Sequence, residues 1–179
     1  ADNSLVPLPD NVNEEVALLL SDALSTAHEI GVQYGDVKPG DTVFIAGAGP
    51  VGMSALLTAQ LYSPAAIIVC DMDENCLKLA KELGATHAIS PASGDVSKQV
   101  FTIVGEDGVD CAIEAVGILA TWNMCQDIVK PGGHIAVVGV HGQSVDFRLE
   151  KLWIKNLAIT TGLVNANTTE MLMKAISSS

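Results

Sequence analysis

Three glycines and one aspartate stand at a spacing that could hold a phosphate-bearing ligand. Gly47, Gly49 and Gly52 end an apolar run and open a helical pattern in "FIAGAGPVGM". Asp71 ends the next apolar run, about 20 positions further on, where a dinucleotide-binding unit has its acidic residue. In such a unit the first glycine permits a tight turn, the second lets a pyrophosphate approach the backbone, and the third lets the helix pack close to the sheet. The spacing therefore predicts a dinucleotide site.

The residues around this motif indicate which dinucleotide would bind. Pro50 and Val51 begin the helix, whose free N–H groups and dipole favour the charge of a phosphate. Asp71 can accept hydrogen bonds from both hydroxyls of the adenosine ribose, and it would repel the 2′-phosphate of NADP. No arginine stands within several residues after Asp71 to reverse that preference. The sequence predicts NAD in preference to NADP.

Two alternatives share the glycine pattern. One is a glycine turn that binds nothing. The other is a methyltransferase, which has a similar sheet and ribose-binding acid but usually lacks the third glycine at this spacing.

The elements that would position these residues alternate between strand and helix patterns from residue 41 onward. The strand segments are nearly continuous apolar runs, typical of a parallel sheet with helices on both faces. We predict an α/β fold, a doubly wound parallel sheet (Rossmann fold) of six strands in the order 3-2-1-4-5-6. The predicted strands are 41–47, 65–71, 85–89, 108–117, 134–140 and 157–164, and the predicted helices are 50–62, 73–84, 95–105, 118–130, 149–156 and 167–176.

The chain divides into two predicted parts. Residues 1–40 form a lead-in with a helix over 13–32 that breaks near Ser21, and residues 41–179 form the Rossmann domain. The sequence starts without a methionine and stops inside an amphipathic helical pattern. We expect a piece of a longer enzyme, truncated at its C-terminus.

Composition and charge exclude several classes of partner. The formal net charge of −12 argues against binding to nucleic acid or to an anionic membrane. No apolar run reaches the roughly 18 residues of a membrane span, and no secretory signal pattern is present. Cysteines stand at 70, 76, 111 and 125 without a Cys-x-x-Cys pair, which predicts reduced core thiols in a cytoplasmic protein.

Six stretches together resemble the coenzyme-binding half of the zinc-dependent medium-chain alcohol dehydrogenases. They are "LSDALSTAHEIGV", "VFIAGAGPVGM", "IIVCDMDENCLKLAKELGATH", "CAIEAVG", "IVKPGGHIAVVGVHG" and "LEKLWIKNLAITTGLV". The resemblance implies hydride transfer between NAD and a small alcohol or carbonyl substrate, with zinc as a Lewis acid. It also implies a homodimer or homotetramer joined through the edge strand near 157–163. Sorbitol, threonine and formaldehyde dehydrogenases share much of this pattern and remain alternatives for the substrate.

The same resemblance implies a metal ligand and a catalytic residue upstream of the glycine loop. Asp22 corresponds to the third ligand of the catalytic zinc, and Thr26 to the threonine that touches the nicotinamide four positions later. A carboxylate is an accepted zinc ligand. Because the other ligands come from a domain that this sequence does not include, we expect the chain alone to bind no zinc and to be inactive. The alternative is that Asp22 only caps a helix.

Further cofactor contacts follow from the resemblance, at the ends of three strands. Val116 and its neighbours are expected along the adenosine side of the cleft, and the residues after the fifth and sixth strands near the nicotinamide. The full set is Ala115, Val116, Gly117, Val138, Gly139, Val140, Thr161 and Leu163. For the valines, packing at strand ends is the alternative explanation. For His28 and His141 we favour a structural or surface role over acid–base chemistry.

Two departures from the family pattern and one alternative class complete the prediction. Cys76 stands where the family often has a basic residue near the adenosine, and Ala27 where it often has glycine. A stand-alone NAD-sensing or regulatory domain is the alternative from another class. Asp22 argues against it, because a sensor has no need of a carboxylate at that spacing.

Overall fold

A six-stranded parallel sheet with helices on both faces forms the centre of the protein, in a computed structural model that describes residues 5–178. The strands are β1 Thr42–Ala46, β2 Ala66–Cys70, β3 His87–Ile89, β4 Val109–Glu114, β5 Val129–Val137 and β6 Ala158–Thr161. Their order is β3-β2-β1-β4-β5-β6 and every neighbouring pair is parallel, which confirms the predicted doubly wound sheet. Residues 1–4 of the predicted lead-in, and the final Ser179, lie outside the described residues.

The helices begin and end close to the predicted positions. They are α1 Glu14–Leu18, α2 Ala23–Thr26, α3 Pro50–Ala59, α4 Glu74–Glu82, α5 Val96–Val104, α6 Leu119–Ile128, α7 Leu149–Leu152 and α8 Thr169–Ser177. A π-helix, Ala27–Gln33, continues α2, and 3₁₀ turns follow α1, α3 and α7. The carboxylate of Asp73 accepts a hydrogen bond from the Asn75 N–H and caps α4, as its position predicts.

Alternate residues of each central strand face opposite sides of the sheet and enter two separate cores. In β1, Val43 and Ile45 pack with α3 and the π-helix, whereas Phe44 and Ala46 pack with α5 and α6. All four side chains are fully buried. Burial on both faces explains why the strands read as continuous apolar runs.

The lead-in packs beside the sheet and breaks near Ser21, as predicted. A 3₁₀ turn, Leu19–Ser21, separates α1 from α2. Leu20 and Leu24 then pack against Leu172 of α8 in a small third core. The two ends of the described chain therefore support each other.

The predicted boundary between α6 and β5 is wrong. The sequence prediction extends the helix through residue 130 and starts the strand at 134, because proline and glycine usually interrupt both. In the structure α6 ends at Ile128, β5 begins at once at Val129, and its register against β4 shifts around Pro131 and Gly132. Gly132 has a φ of 76°, so the irregularity takes up the proline inside the strand. β5 also ends earlier than predicted, at Val137.

The described residues contain neither a membrane-spanning helix nor a cysteine cross-link. Within residues 5–178, no helix has the length and apolar character needed to cross a bilayer. All four cysteines are free, and Cys70, Cys111 and Cys125 are buried while Cys76 is half-buried. Burial, helped by the charge of Asp71, raises the pKa of the Cys70 thiol to about 12, so this thiol stays protonated and inert.

Candidate functional site

The glycine loop between β1 and α3 uses each of its glycines differently. Gly47 has a φ of 102°, in the left-handed region that favours glycine. A Cβ on Gly52 would lie 1.9 Å from the Gly47 carbonyl oxygen, so the helix starts directly against the turn. A Cβ on Gly49 would meet no atom within 4 Å among the described residues. Packing within the chain therefore explains Gly52, whereas Gly49 leaves open space above the loop.

The first turn of α3 presents unpaired donors to that space. Pro50 is the first helical residue and has no N–H, and the first helical hydrogen bond runs from the Met53 N–H to the Gly49 carbonyl at 2.9 Å. The N–H groups of Val51 and Gly52 therefore have no acceptor within the helix. Together with the helix dipole they form a site suited to a phosphate.

Asp71 joins the glycine loop to the end of β2. One carboxylate oxygen accepts a hydrogen bond from the Ala48 N–H at 2.6 Å, and the other from the Asp73 N–H at 2.9 Å. Each oxygen of a carboxylate can accept a second bond, so both remain available to ribose hydroxyls. Arg148, the sole arginine of the sequence, donates to Asp127 on α6 and is not a neighbour of Asp71.

A cavity of about 310 Å³ with almost wholly apolar walls lies beside Asp71. Its walls include Met72, which follows β2 and is 82% exposed, and Val116, which follows β4. Since β2 and β4 flank β1, these two side chains stand on either side of the β1 end. Met124 of α6 also lines the cavity. The sequence prediction missed both methionines, although Met72, an exposed apolar residue directly after Asp71, is a usable signal.

A buried carboxylate, also missed by the sequence prediction, organises the ends of β4 and β5. Glu114 is fully buried, and one oxygen accepts from the Gly117 N–H at 2.9 Å and the Thr121 hydroxyl at 2.6 Å. The other oxygen lies 3.1 Å from His141 Nε2. His141 thus has a buried acidic partner. An acid inside the apolar run "CAIEAVG" was the available signal, because buried glutamates are rare unless paired.

The backbone of Glu114 brings the two predicted loops together. Its carbonyl accepts from the N–H groups of Val138 and Gly139, at 2.8 and 3.0 Å. Gly117 has a φ of 88°, and a Cβ there would lie 2.4 Å from the Val140 carbonyl oxygen. The predicted segments 115–117 and 138–140 therefore touch at the carboxyl edge of the sheet.

Asp22 and Thr26 contact each other directly. The Thr26 hydroxyl donates to an Asp22 carboxylate oxygen at 2.9 Å, and Asp22 is exposed. Asp22 occupies the N-cap position of α2, yet its side chain makes no capping hydrogen bond. Capping by the side chain, the simpler explanation of this residue, is absent from the structure.

The ends of β5 and β6 present large apolar side chains that nothing in residues 5–178 covers. Val140 is 90% exposed and Leu163 is 89% exposed. Thr161 is the last residue of β6. The carboxyl ends of parallel strands meet at one edge, so these residues lie on the same side of the sheet as the glycine loop.

His28 lies in the core. It is fully buried, and its ring packs against Tyr62 in a tilted arrangement with centroids 5.9 Å apart. Neither ring nitrogen has a partner among residues 5–178. Burial lowers the pKa of His28, with the negative charge of Glu29 opposing the shift. The imidazole is therefore neutral near pH 7 and contributes packing.

The chemistry of the Asp22 carboxylate fits a zinc ligand, but one ligand does not make a site. No group of three or more His, Cys, Asp or Glu side chains within residues 5–178 is placed to hold a metal ion. Zinc at Asp22 would need further ligands from outside the described residues.

Sheet order and the glycine loop define a Rossmann-like α/β protein. Residues 50–178 match the family model described as zinc-binding dehydrogenase, and the chain belongs to that family. An alcohol dehydrogenase from Cupriavidus necator is 32% identical over 149 residues, covering 83% of this chain and 40% of that protein. An NADP-dependent isopropanol dehydrogenase from Thermoanaerobacter brockii is 34% identical over 143 residues, covering 80% of this chain and 40% of that protein.

Among solved structures, zinc-dependent alcohol dehydrogenase 2 from Streptococcus pneumonia superposes with a TM-score of 0.95 at 48% identity. The match covers 99% of this chain and 51% of that one. The chain thus spans about half the length of this structural relative and 40% of the two curated relatives.

Proposed function

We propose that this chain is the NAD-binding portion of a zinc-dependent alcohol dehydrogenase. The observation that carries the proposal is the position of Asp71, whose carboxylate bonds the glycine loop beside the open N-terminus of α3. Family membership supports a dehydrogenase over both a methyltransferase and a turn that binds nothing.

Each part of the dinucleotide has a matching feature. The N–H groups of Val51 and Gly52 would bind the pyrophosphate, which can approach because Gly49 leaves open space. Asp71 would accept the ribose hydroxyls. The adenine would fill the apolar cavity between Met72 and Val116.

The other end of the cofactor would lie over the ends of β5 and β6. The segment 138–140, Thr161 and Leu163 would hold the nicotinamide, with Thr26 in contact with its ring. Asp22 would be one zinc ligand in the intact enzyme. When bound, zinc supplies Lewis-acid polarisation of an alcohol or carbonyl oxygen and the dinucleotide accepts or donates the hydride. This chain's own residues orient and bind, and we expect the chain by itself to be inactive.

Cofactor choice rests on Asp71. A 2′-phosphate would meet its carboxylate and find no arginine to compensate, so NAD is preferred. The preference needs its own test, because the Thermoanaerobacter brockii relative is described as NADP-dependent.

The test is to titrate the chain with NADH and with NADPH and to measure both affinities by calorimetry. We expect NADH to bind at least about tenfold more tightly, since placing like charges together costs more than 1.4 kcal/mol. Asp71→Asn should weaken NADH binding and bring the two affinities together. Glu74→Gln removes the same charge from an exposed position three residues away and should change neither. Equal affinities in the wild type would refute the role of Asp71.

The substrate class and assembly are further parts of the proposal. Alcohol dehydrogenase relatives support a small alcohol or carbonyl compound as the substrate. The outer edge of β6 is unpaired in the structure of residues 5–178, and Ile159 on it is 40% exposed. An uncovered edge strand can pair with a second copy, which supports the expected homodimer or homotetramer. Sedimentation of Ile159→Lys against the wild type would test this, with an unchanged mass as the contradicting result.

A further inference from the structure

The element Ala27–Gln33 is a π-helix and lies directly after Thr26. π-helices are rare, and where they occur they are frequently found at functional sites. This one packs on the sheet: a Cβ on Gly31 would lie 3.3 Å from Ile113 and 3.4 Å from Val138. It therefore touches the segment that is expected to approach the nicotinamide.

Glu29, in the first turn of this π-helix, is buried and binds a loop far away in the sequence. It is 4% exposed. One carboxylate oxygen accepts from the Asn165 N–H at 2.9 Å and the Ala166 N–H at 3.3 Å. The other accepts from the Thr168 N–H at 3.1 Å and the Thr168 hydroxyl at 2.8 Å. One side chain thus pairs four donors of the loop 165–168.

The loop needs this support because its conformation is otherwise unfavourable. Ala166 has a φ of 58°, which costs free energy for a residue with a Cβ. Thr168, the N-cap of α8, makes no capping hydrogen bond with its side chain, which donates to Glu29 instead. The Glu29 carboxylate therefore fixes Thr168, the residue at which α8 begins, through its N–H and its hydroxyl.

The same helix holds the chain before this loop. The Thr160 hydroxyl donates to the Tyr34 carbonyl at 3.0 Å, and a Cβ on Gly162 would lie 3.1 Å from the Tyr34 ring and 3.3 Å from Ile30. Between these anchors and Glu29 stands Leu163, 89% exposed and without a wall of its own. The chain on both sides of Leu163 is thus anchored to the π-helix and to Tyr34, the residue that follows it.

We propose that Glu29 is a positioning residue for the nicotinamide side of the cleft. Its carboxylate holds the loop 165–168 and thereby the segment 161–163. Because Thr26 lies about one helical turn before Glu29, this bond fixes the segment 161–163 relative to Thr26. The inference rests on the proposed function, because it assumes that the dinucleotide crosses this edge of the sheet. It adds a residue that touches neither the cofactor nor the metal.

A carboxylate is the side chain that this role requires. Burial raises the pKa of the Glu29 carboxyl, but the hydrogen bonds from Asn165, Thr168 and Ala166 outweigh burial and leave the pKa lower than usual. Glu29 is therefore ionised near neutral pH and accepts all four bonds. A glutamine would turn an NH₂ group towards N–H donors and lose part of the set.

The experiment compares two ligands that differ only in the nicotinamide. Wild-type chain, Glu29→Gln, Thr168→Val and the control Glu170→Gln, an exposed acid on α8, are titrated with NADH and with ADP-ribose by calorimetry. For Glu29→Gln we expect about tenfold weaker NADH binding, the order expected from losing a charge-assisted hydrogen bond. ADP-ribose affinity should stay within about twofold, as expected for a binding surface that the change does not reach. Thr168→Val should shift NADH in the same direction by a smaller factor.

The outcomes separate the two proposals. If the wild type binds neither ligand, the proposed function fails and this inference fails with it. If the wild type binds both, but Glu29→Gln weakens both equally or neither, only the positioning role is overturned. Should Glu29→Gln not fold, Thr168→Val decides the question by the same ratio of NADH to ADP-ribose affinity.

Discussion

The two ends of the proposed cleft differ in how many of the required groups this chain supplies. At the adenosine end, the Asp71 carboxylate is paired on both oxygens and an apolar cavity is already formed beside it. At the nicotinamide end, Val140 and Leu163 are almost fully exposed and the Asp22 carboxylate has only the Thr26 hydroxyl. Under the proposed function, residues of this chain account for the adenosine end, whereas the nicotinamide end would need a covering surface and further metal ligands. If the proposal holds, cofactor recognition and catalysis draw on different regions along one edge of the sheet.

The largest expected effect is a loss of folding stability from overpacking the glycine loop at the adenosine end. Gly52→Val would place its Cβ 1.9 Å from a backbone oxygen that cannot move without disrupting β1 and α3. We expect a loss of at least about 3 kcal/mol in the free energy of unfolding, the upper part of the overpacking range. Urea denaturation measures it. A variant as stable as the wild type would show that the tight glycine turn is wrongly placed.

A matched change three residues earlier should leave folding intact and affect binding alone. A Cβ on Gly49 meets nothing within 4 Å and the residue has a φ of −74°, so Gly49→Ala should change stability by less than about 0.5 kcal/mol. If the open space admits a pyrophosphate, NADH affinity should nevertheless fall about tenfold, the effect of 1.4 kcal/mol. Normal NADH binding by this variant would contradict the cradle, and unfolding would contradict the open space.

The smallest expected effect is a loss of folding stability at acidic pH, caused by His28 and Glu29 in the π-helix. The folded-state pKa of His28 is lowered by burial, so the unfolded chain takes up protons first as the pH falls below the usual value of 6.5, and stability decreases. Glu29 also has a lowered pKa, and its contribution is present above the usual value of 4.5 and lost as the pH falls below that value.

Melting temperatures measured from about pH 7.5 to about pH 5, the range in which histidine titrates, test the contribution of His28. In His28→Phe the melting temperature should depend less on pH, because the buried imidazole with the lowered pKa has been removed. An equal slope in wild type and His28→Phe would assign the acid sensitivity to other groups.

The same difference explains what the sequence could predict. The glycine loop and Asp71 lie within one β-α-β unit, so their spacing could be recognised in the sequence. Apolar runs predicted the six strands, and the Rossmann fold supplied their order, which the structure confirms. The proposed nicotinamide end draws on Thr26, the segment 138–140 and Leu163, which come from distant parts of the sequence. Sequence spacing could suggest these residues by resemblance but could not show their contacts.

Three features escaped the sequence prediction for physical reasons. Glu29 binds a loop 136 residues away, a distance that no local pattern reports. Glu114 is buried at the end of an apolar strand, and its partners come from the segments that follow β4 and β5. Pro131 looks like the end of an element because it lacks an N–H, yet the shifted register lets β5 continue through it.

The most direct test of the central claim is a crystal structure of the chain with NADH bound. The account predicts the ribose hydroxyls on Asp71, the pyrophosphate over Gly49 at the start of α3, and the adenine between Met72 and Val116. It also predicts the nicotinamide over the ends of β5 and β6. A dinucleotide bound elsewhere, or one whose ribose avoids Asp71, would contradict the account.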